Sequence, residues 1–263
     1  GTLEGAVWTE GRDGEANGAV KLNSGSQAFV SFPTGFISDL KDFTISLWLK
    51  RTGDNVGRVF DFGSSHTESM LFDYGFNNKS GFRYKLRHGN TNNNRDYKAT
   101  LDKDKWYNIA LSQKDGKLTV YLNGEQIGET TDELNPSALG KTSQNWLGKS
   151  MWFDNGDPYP DYAYDDFYIF NRAFTQDEVK DLMSRKGYSG VELVNADAED
   201  DGMRVYGYGD QITVIAPKAM KLNVYTVDGT LVRAATLQEG LNTLDGFAAG
   251  IVGPDTDYVE EID

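Results

Sequence analysis

The stretch that decides the fold is YAYDDFYIFNRAFTQDE, residues 162–178. Alternating aromatic and aliphatic residues surround two adjacent carboxylates, Asp165 and Asp166. The run then stops at Thr175-Gln176-Asp177-Glu178. That tetrad is a capping box: the threonine hydroxyl accepts from the backbone of Glu178, whose side chain reaches back. Val179, Leu182 and Met183 continue it as an apolar stripe, so a strand handing over to a short helix is expected here. Lys186-Gly187 supplies a cation and a left-handed cap to end that helix.

Working outward, short aromatic or β-branched runs alternate with Gly, Asn and Asp. Residues 19–23, 27–32, 42–51, 58–63, 69–75, 81–88, 105–113 and 117–122 all read as strands. Phe43, Ile45, Leu47 and Leu49 face one way, and Thr44, Ser46, Trp48 and Lys50 the other. Ser24-Gly25, Asp115-Gly116 and Asn123-Gly124 supply turns. KDGK between two strands, Lys114 to Lys117, suits the primed hairpin turns that match strand twist. Many short strands with turn signals every 8–12 residues imply an antiparallel sandwich or jelly roll. After Gly190 the texture changes. NADAEDDG, residues 195–202, is acidic, and further strand-like runs follow. The expected organisation is a large β-domain over 1–188 and a small β-domain over 189–263.

The 263 residues carry 26 basic and 40 acidic side chains, a net charge of −14. Such a surface repels phosphate backbones and anionic membranes, so nucleic acid is excluded as a partner. Cations and neutral ligands such as glycans remain. Cysteine is absent, which removes disulfides, thiolate-zinc sites and thiol nucleophiles. The two histidines, His66 and His88, have no partner at metal-site spacing. No apolar run approaches the roughly 18 residues that cross a bilayer. GTLEGAVW at the start has no charged and then apolar leader, so any signal peptide has been removed from this chain.

Trp8, DGEANGAVKL (13–22), AFVSFP (28–33), DFTISLWLK (42–50), KWYNIALSQKDGKLTVYLNGEQI (105–127), WLGKS (146–150) and YDDFYIFNRAFTQDEV (164–179) occur in that order. The set, over about residues 5–187, resembles a concanavalin A-like jelly-roll domain of the laminin-G-like type. That type is often appended to secreted bacterial glycan-degrading enzymes. The resemblance implies an all-β antiparallel jelly roll with one short helix at its C-terminal end, and an extracytoplasmic location. Function is less constrained, because the fold hosts lectins, adhesion modules, glycosidases and spacers. Residues 202–250 resemble the small β-sandwich at the C-terminus of Bacteroidetes secreted proteins, the sorting-domain type. The shared features are the Asp228-Gly229 turn, Gly240-Leu241-Asn242 and a glycine-rich turn at 246–251. VGPDTDYVEEID departs from that family's apolar strand and basic end.

Four groups of residues are candidates for chemistry. Neighbouring strand residues point to opposite faces, so Asp165 and Asp166 are expected to diverge, unlike a glycosidase pair that faces across its substrate. Related domains often hold a structural calcium between the last strand and the N-terminal turn. That resemblance makes Asp166, Asn17, Asp13 and Asp165 the metal-ligand candidates; alternatively, one Asp caps backbone N–H groups of that turn. In the loop MWFDNGDPYPDYAY, 151–164, Trp152, Tyr159 and Tyr162 with Asp154 and Asn155 would suit a sugar, rings on its C–H face and polar groups on its hydroxyls. The competing reading is a packed loop that fills the mouth of the jelly roll. In SGFRYKLRHGNTNNNRDYKA, 80–99, Tyr84, Arg87 and His88 are further ligand candidates, with NTNNN as a solvated hairpin tip.

No catalytic residues are expected. The Glu-x-Asp-x-Glu strand of glucanases on this fold does not occur, and neither does GxSxG, HExxH or a P-loop. The sequence thus points to a non-catalytic module that binds or presents a polysaccharide or other glycan. The alternatives are a structural or interaction module packed on a catalytic domain or another protein, and a glycosidase of unfamiliar design.

Overall fold

The computed structural model describes residues 1–76, 80–131, 134–184, 204–208, 211–216, 218–225 and 231–244. The chain divides into two compact units, Gly1–Arg185 and Lys186–Asp263.

The first unit is a sandwich of two seven-stranded antiparallel sheets. Its strands are β1 (Thr2–Glu4), β2 (Val7–Thr9), β3 (Ala19–Lys21), β4 (Phe29–Phe32), β5 (Phe43–Arg51), β6 (Arg58–Ser65), β7 (Glu68–Tyr74), β8 (Phe82–His88), β9 (Thr91–Tyr97), β10 (Trp106–Lys114), β11 (Lys117–Leu122), β12 (Glu125–Thr130), β13 (Gln144–Leu147) and β14 (Tyr162–Phe170). One sheet runs β1-β4-β13-β6-β7-β8-β9, the other β12-β11-β10-β5-β14-β3-β2. The expected alternation holds. Phe43, Ile45, Leu47 and Leu49 are fully buried between the sheets, with Phe60, Phe62, Phe72, Tyr84 and Leu86 opposite. Stacked rings, such as Phe60 on Phe62 at 4.8 Å and Phe72 on Phe82 at 4.8 Å, fill the first sheet's inner face. The expected primed turn at Asp115-Gly116 forms, and the Asn123-Gly124 turn takes the same conformation. Asp115 and Gly116 have φ of 49° and 74°, Asn123 and Gly124 51° and 76°. The Ser24-Gly25 turn is instead a short 3-10 helix, Ser24–Ser26, capped by the Asn23 side chain.

One expectation needs correction. NTNNN is not a hairpin tip. Asn92, Asn93 and Asn94 lie inside β9 and pair with Arg87, Leu86 and Lys85 of β8. The turn comes earlier, at Gly89, whose φ is 56°. Pairing along β8 overrides the weak strand preference of asparagine.

Helix α1 (Gln176–Ser184) begins with the capping box. Glu178 Oε2 accepts from Thr175 N at 2.8 Å, and Thr175 Oγ1 accepts from Glu178 N at 3.3 Å. Val179 is buried against Ala110 and Tyr121, on the outer face of the second sheet. Burying a side chain of that size is worth about 1.5–3 kcal/mol. The Ser112 hydroxyl donates to Phe174 O at 2.8 Å and fixes the approach to the helix. Thus α1 covers part of that outer face. The Lys186-Gly187 cap lies outside the described residues.

The second unit contains a three-stranded sheet, β15 (Arg204–Tyr208), β16 (Gln211–Ala216) and β19 (Gly240–Leu244), and a hairpin, β17 (Met220–Tyr225) and β18 (Leu231–Leu237). Val214, Ala216, Leu222 and Leu237 form its small core. The acidic segment 195–202, the Asp228-Gly229 turn, the 246–251 turn and the acidic C-terminus fall outside the described residues.

Candidate functional site

The Asp165-Asp166 pair does not behave as plain strand alternation requires. The register of β14 against β5 shifts between Asp165 and Tyr168. Asp166 adopts φ 47°, a left-handed conformation. This bulge turns both carboxylates toward Arg12. Asp165 Oδ2 accepts from Arg12 N at 2.8 Å, and Asp166 Oδ2 accepts from Arg12 Nε at 2.8 Å. Asp165 Oδ1 also accepts from Asp166 N, and Asp166 Oδ1 from the Tyr168 hydroxyl. The guanidinium lies 4.6 Å from the Trp48 ring. Burial pushes the Asp165 carboxyl up to about 6, against the pull of the Arg12 N–H.

Calcium takes six to eight oxygen ligands. Here the pair's oxygens are engaged by Arg12, Tyr168 and backbone N–H groups. Asp13 pairs with Arg12 at 3.3 Å. Asn17 is exposed, with φ 60°. Among the described residues no three His, Cys, Asp or Glu side chains converge as a metal site. This arrangement does not fit a calcium ion between β14 and the N-terminal turn. A guanidinium sits there instead.

Tyr84 and Tyr162 are not ligand contacts. Both are fully buried. Tyr84 is an inward residue of β8, and the Tyr162 hydroxyl accepts from Gly57 N at 3.1 Å. His88 caps the β7-β8 end by binding Glu68 Oε2 at 2.6 Å.

The remaining candidates draw attention to the outer face of the first sheet. Cross-strand partners share a face. One row therefore runs Thr2, Ser31, Trp146, Asp61, Leu71, Lys85 and Asn94 across all seven strands. The neighbouring rows contain Ser69, Arg87 and Asn92 on one side, and Asp73, Arg83 and Asp96 on the other.

The loop after β13 crosses this face. Met151 N donates to Asp61 Oδ2 at 3.0 Å. Arg58 is the hub beneath it, donating to Asp61 at 3.2 Å, Asp73 at 2.6 Å and Asp157 at 3.0 Å. Three carboxylates around one buried guanidinium leave excess negative charge. Burial pushes Asp61 and Asp73 each up to about 6, with Arg58 opposing.

Above this base sits Trp152. Its ring stacks on His66 at 4.7 Å, with the Arg58 guanidinium 5.6 Å and the Lys85 ammonium 5.1 Å from its centroid. His66 is fixed by a 2.7 Å contact between Nε2 and Met151 O. Beside Trp152, the Lys149 ammonium lies 4.3 Å from Phe29, 4.6 Å from Trp146 and 4.5 Å from Phe153. Asp154, Asn155 and Phe153 are exposed, and Tyr159 is half-buried. The face thus offers aromatic rings, cations and amides together. Trp152 and Arg87 were legible as candidates. Trp146, Phe29, Lys149, Lys85, Arg58 and His66 were not, because register brings them together. Only the outward parity of Lys85 beside Arg87 signalled it.

Family comparison agrees with this architecture. Residues 23–180, more than half of the chain, match the profile of the laminin-G family described as the concanavalin A-like lectin/glucanases superfamily. The chain belongs to that family. It is similar in structure to domain 4 of AbnA, an extracellular arabinanase from Geobacillus stearothermophilus, seen with arabinotriose. The TM-score is 0.52 at 21% identity, covering 70% of this chain and 87% of that one. A heptameric pentraxin from Limulus polyphemus aligns with TM-score 0.44 at 13% identity, over 84% and 87% of the two chains. The CBM40 module of a Ruminococcus gnavus sialidase, bound to α2,3-sialyllactose, aligns with TM-score 0.44 at 18% identity, over 59% and 95%. A comparison with curated protein sequences found no match.

Proposed function

We propose that the first unit is a non-catalytic carbohydrate-binding module of an extracytoplasmic bacterial protein, with the outer face of the β1-β4-β13-β6-β7-β8-β9 sheet as its binding surface. The observation that carries this reading is the half-buried Trp152 ring, set among Lys85, His66 and Arg58 and flanked by the exposed Phe153. The exposed Phe153 ring and the open part of Trp152 offer apolar surface to a sugar's C–H bonds, while amides and cations alongside take its hydroxyls. The arabinanase domain with the same fold, seen with arabinotriose, supports the reading by analogy. The outer face of the second sheet suits a ligand less, since α1 and the N-terminal turn each cover part of it. Arg12 takes the structural place that the family resemblance assigned to calcium. The second unit is an appended β-module.

Titration calorimetry against a panel of neutral and acidic oligosaccharides tests this function. Saturable binding that Trp152→Ala weakens is the expected result. Silence across the whole panel overturns it and leaves a structural or interaction module.

A further inference from the structure

We propose that Lys85 and Arg87 recognise a carboxylate, so that the glycan taken by this face is an acidic one, carrying a uronate or sialate unit beside the sugar that stacks on Trp152. The inference rests on the module reading given above and narrows its ligand class.

Three basic residues leave β8 on the outer face: Arg83, Lys85 and Arg87. Arg83 has a partner. It grips Asp96 through two hydrogen bonds, of 2.6 and 2.8 Å, and lies 3.8 Å from the Phe76 ring. Among the described residues the side chains of Lys85 and Arg87 make no hydrogen bond or ion pair, and the Lys85 ammonium lies 5.1 Å from the centroid of the Trp152 ring. In a chain with 40 acidic and 26 basic residues, two adjacent cations that act on Glu68 and Asp61 only at longer range, with no direct ion pair, run against composition.

The nearby carboxylates are engaged elsewhere. Glu68 binds His88 and Gly89 N, and Asp61 and Asp73 bind Arg58. Arg87 Nε is buried without an acceptor, and so is the hydroxyl of Ser69, its cross-strand partner. Arg87 is therefore not held by an acceptor within the fold, which leaves the outer end of its guanidinium to a ligand. Burial, then the charges of Arg87 and Arg58, depress the Lys85 ammonium against the pull of Asp61. An arriving anion relieves that repulsion.

The spacing also suits one carboxylate. Alternate residues on a strand lie about 6.7 Å apart, and both long side chains can converge on one group between them. A guanidinium matches a carboxylate with two parallel hydrogen bonds. The net charge of −14 sets a limit. Long polyanions are repelled at a distance, whereas a short glycan with one or a few carboxylates meets mainly this patch, within a screening length of about 8 Å.

The test is calorimetry with the full chain against four probes: trigalacturonate, its methyl ester, 3′-sialyllactose and lactose. At least one acid is expected to bind about tenfold or more tightly than its neutral counterpart, the scale of a charged hydrogen bond. Which acid does so distinguishes uronate from sialate. Arg87→Gln and Lys85→Gln are expected to abolish that preference with unchanged melting temperature. The uncharged ester probe keeps the test valid should either variant misfold. Equal binding of acids and neutral counterparts overturns the proposal but leaves a glycan-binding module. Binding of none of the four, nor of any neutral oligosaccharide in the wider panel, overturns both.

Discussion

Arg12 binds both members of the Asp165-Asp166 pair, one through its backbone N–H and the other through its guanidinium, each at 2.8 Å. The contact ties the N-terminal turn to the last strand of the sandwich, 153 residues away in sequence. Removing one partner of a buried ion pair leaves the other charge uncompensated, which costs about 3–5 kcal/mol. Arg12→Ala is therefore expected to lower the midpoint of urea unfolding by a corresponding amount. A change below about 1 kcal/mol would show that the pair carries little of the fold.

The same contact engages the carboxylate oxygens that a calcium ion would need. Melting temperature is expected to be identical in EDTA and in millimolar calcium, and elemental analysis to find no stoichiometric metal. A ligand bound only by the folded state would add about 2.7 kcal/mol at a hundredfold excess over its Kd. A calcium-dependent rise in melting temperature is the contrary result.

Stability should be greater at pH 5 than at pH 7.5. Asp61, Asp73 and Asp165 are each raised from 3.8 to about 6 by burial. Between those limits the folded chain binds protons that the unfolded chain has released, so stability falls as pH rises through the window. One displaced unit corresponds to about 1.4 kcal/mol, so the gain is on the order of 2 kcal/mol after allowance for the coupling through Arg58. Below about pH 4 the trend reverses, because Asp161 and Glu178 are held below their usual range. Burial opposes that shift, but hydrogen bonds from Ser24 and Asn55 to Asp161, and from Thr175 and Arg172 to Glu178, outweigh it. Denaturant midpoints across pH 3.5 to 8 check this. Asp61→Asn should flatten the slope between 5 and 7, and an unchanged slope would exclude the Arg58 cluster as its origin.

Trp152→Ala is expected to weaken glycan binding by about tenfold or more, the scale of a lost ring contact. Trp8→Ala is the control. Trp8 is 58% exposed but lies on β2, in the other sheet. Equal losses from both variants would place the ligand elsewhere.

Thr175→Ala removes the hydroxyl half of the capping box and should cost about 1 kcal/mol of stability. Glycan affinity should not change, since α1 packs on the second sheet. A parallel loss of binding, measured by calorimetry, would link the helix to the ligand face.

The sandwich was legible because its determinants are local. Phe43 to Leu49 alternate, Asp115-Gly116 and Asn123-Gly124 dictate primed turns, and TQDE announces its helix. The site was legible only in fragments. Trp152 and Arg87 stand out by residue type, but Phe29, Trp146 and Lys149 meet through strand register, which no local pattern encodes. The bulge at Asp166 was hidden for a similar reason. Nothing in YDDFY distinguishes a regular strand from one with a residue in the left-handed region, and that single residue reversed the expected divergence of two carboxylates. Asn92 to Asn94 misled in the opposite direction, since pairing with β8 made a strand from residues that favour turns.

The row that includes Trp146, Asp61, Leu71 and Lys85 also works as a ruler. Trp146 and Lys85 are three strand spacings apart, about 14 Å at 4.8 Å each. Backbone hydrogen bonds set that interval, and side-chain substitutions leave it fixed. No single sugar ring bridges it. A ligand that engages both the Phe29-Trp146-Phe153 cluster and the Lys85-Arg87 pair must be an oligosaccharide lying across the strands, and a monosaccharide can occupy only one end.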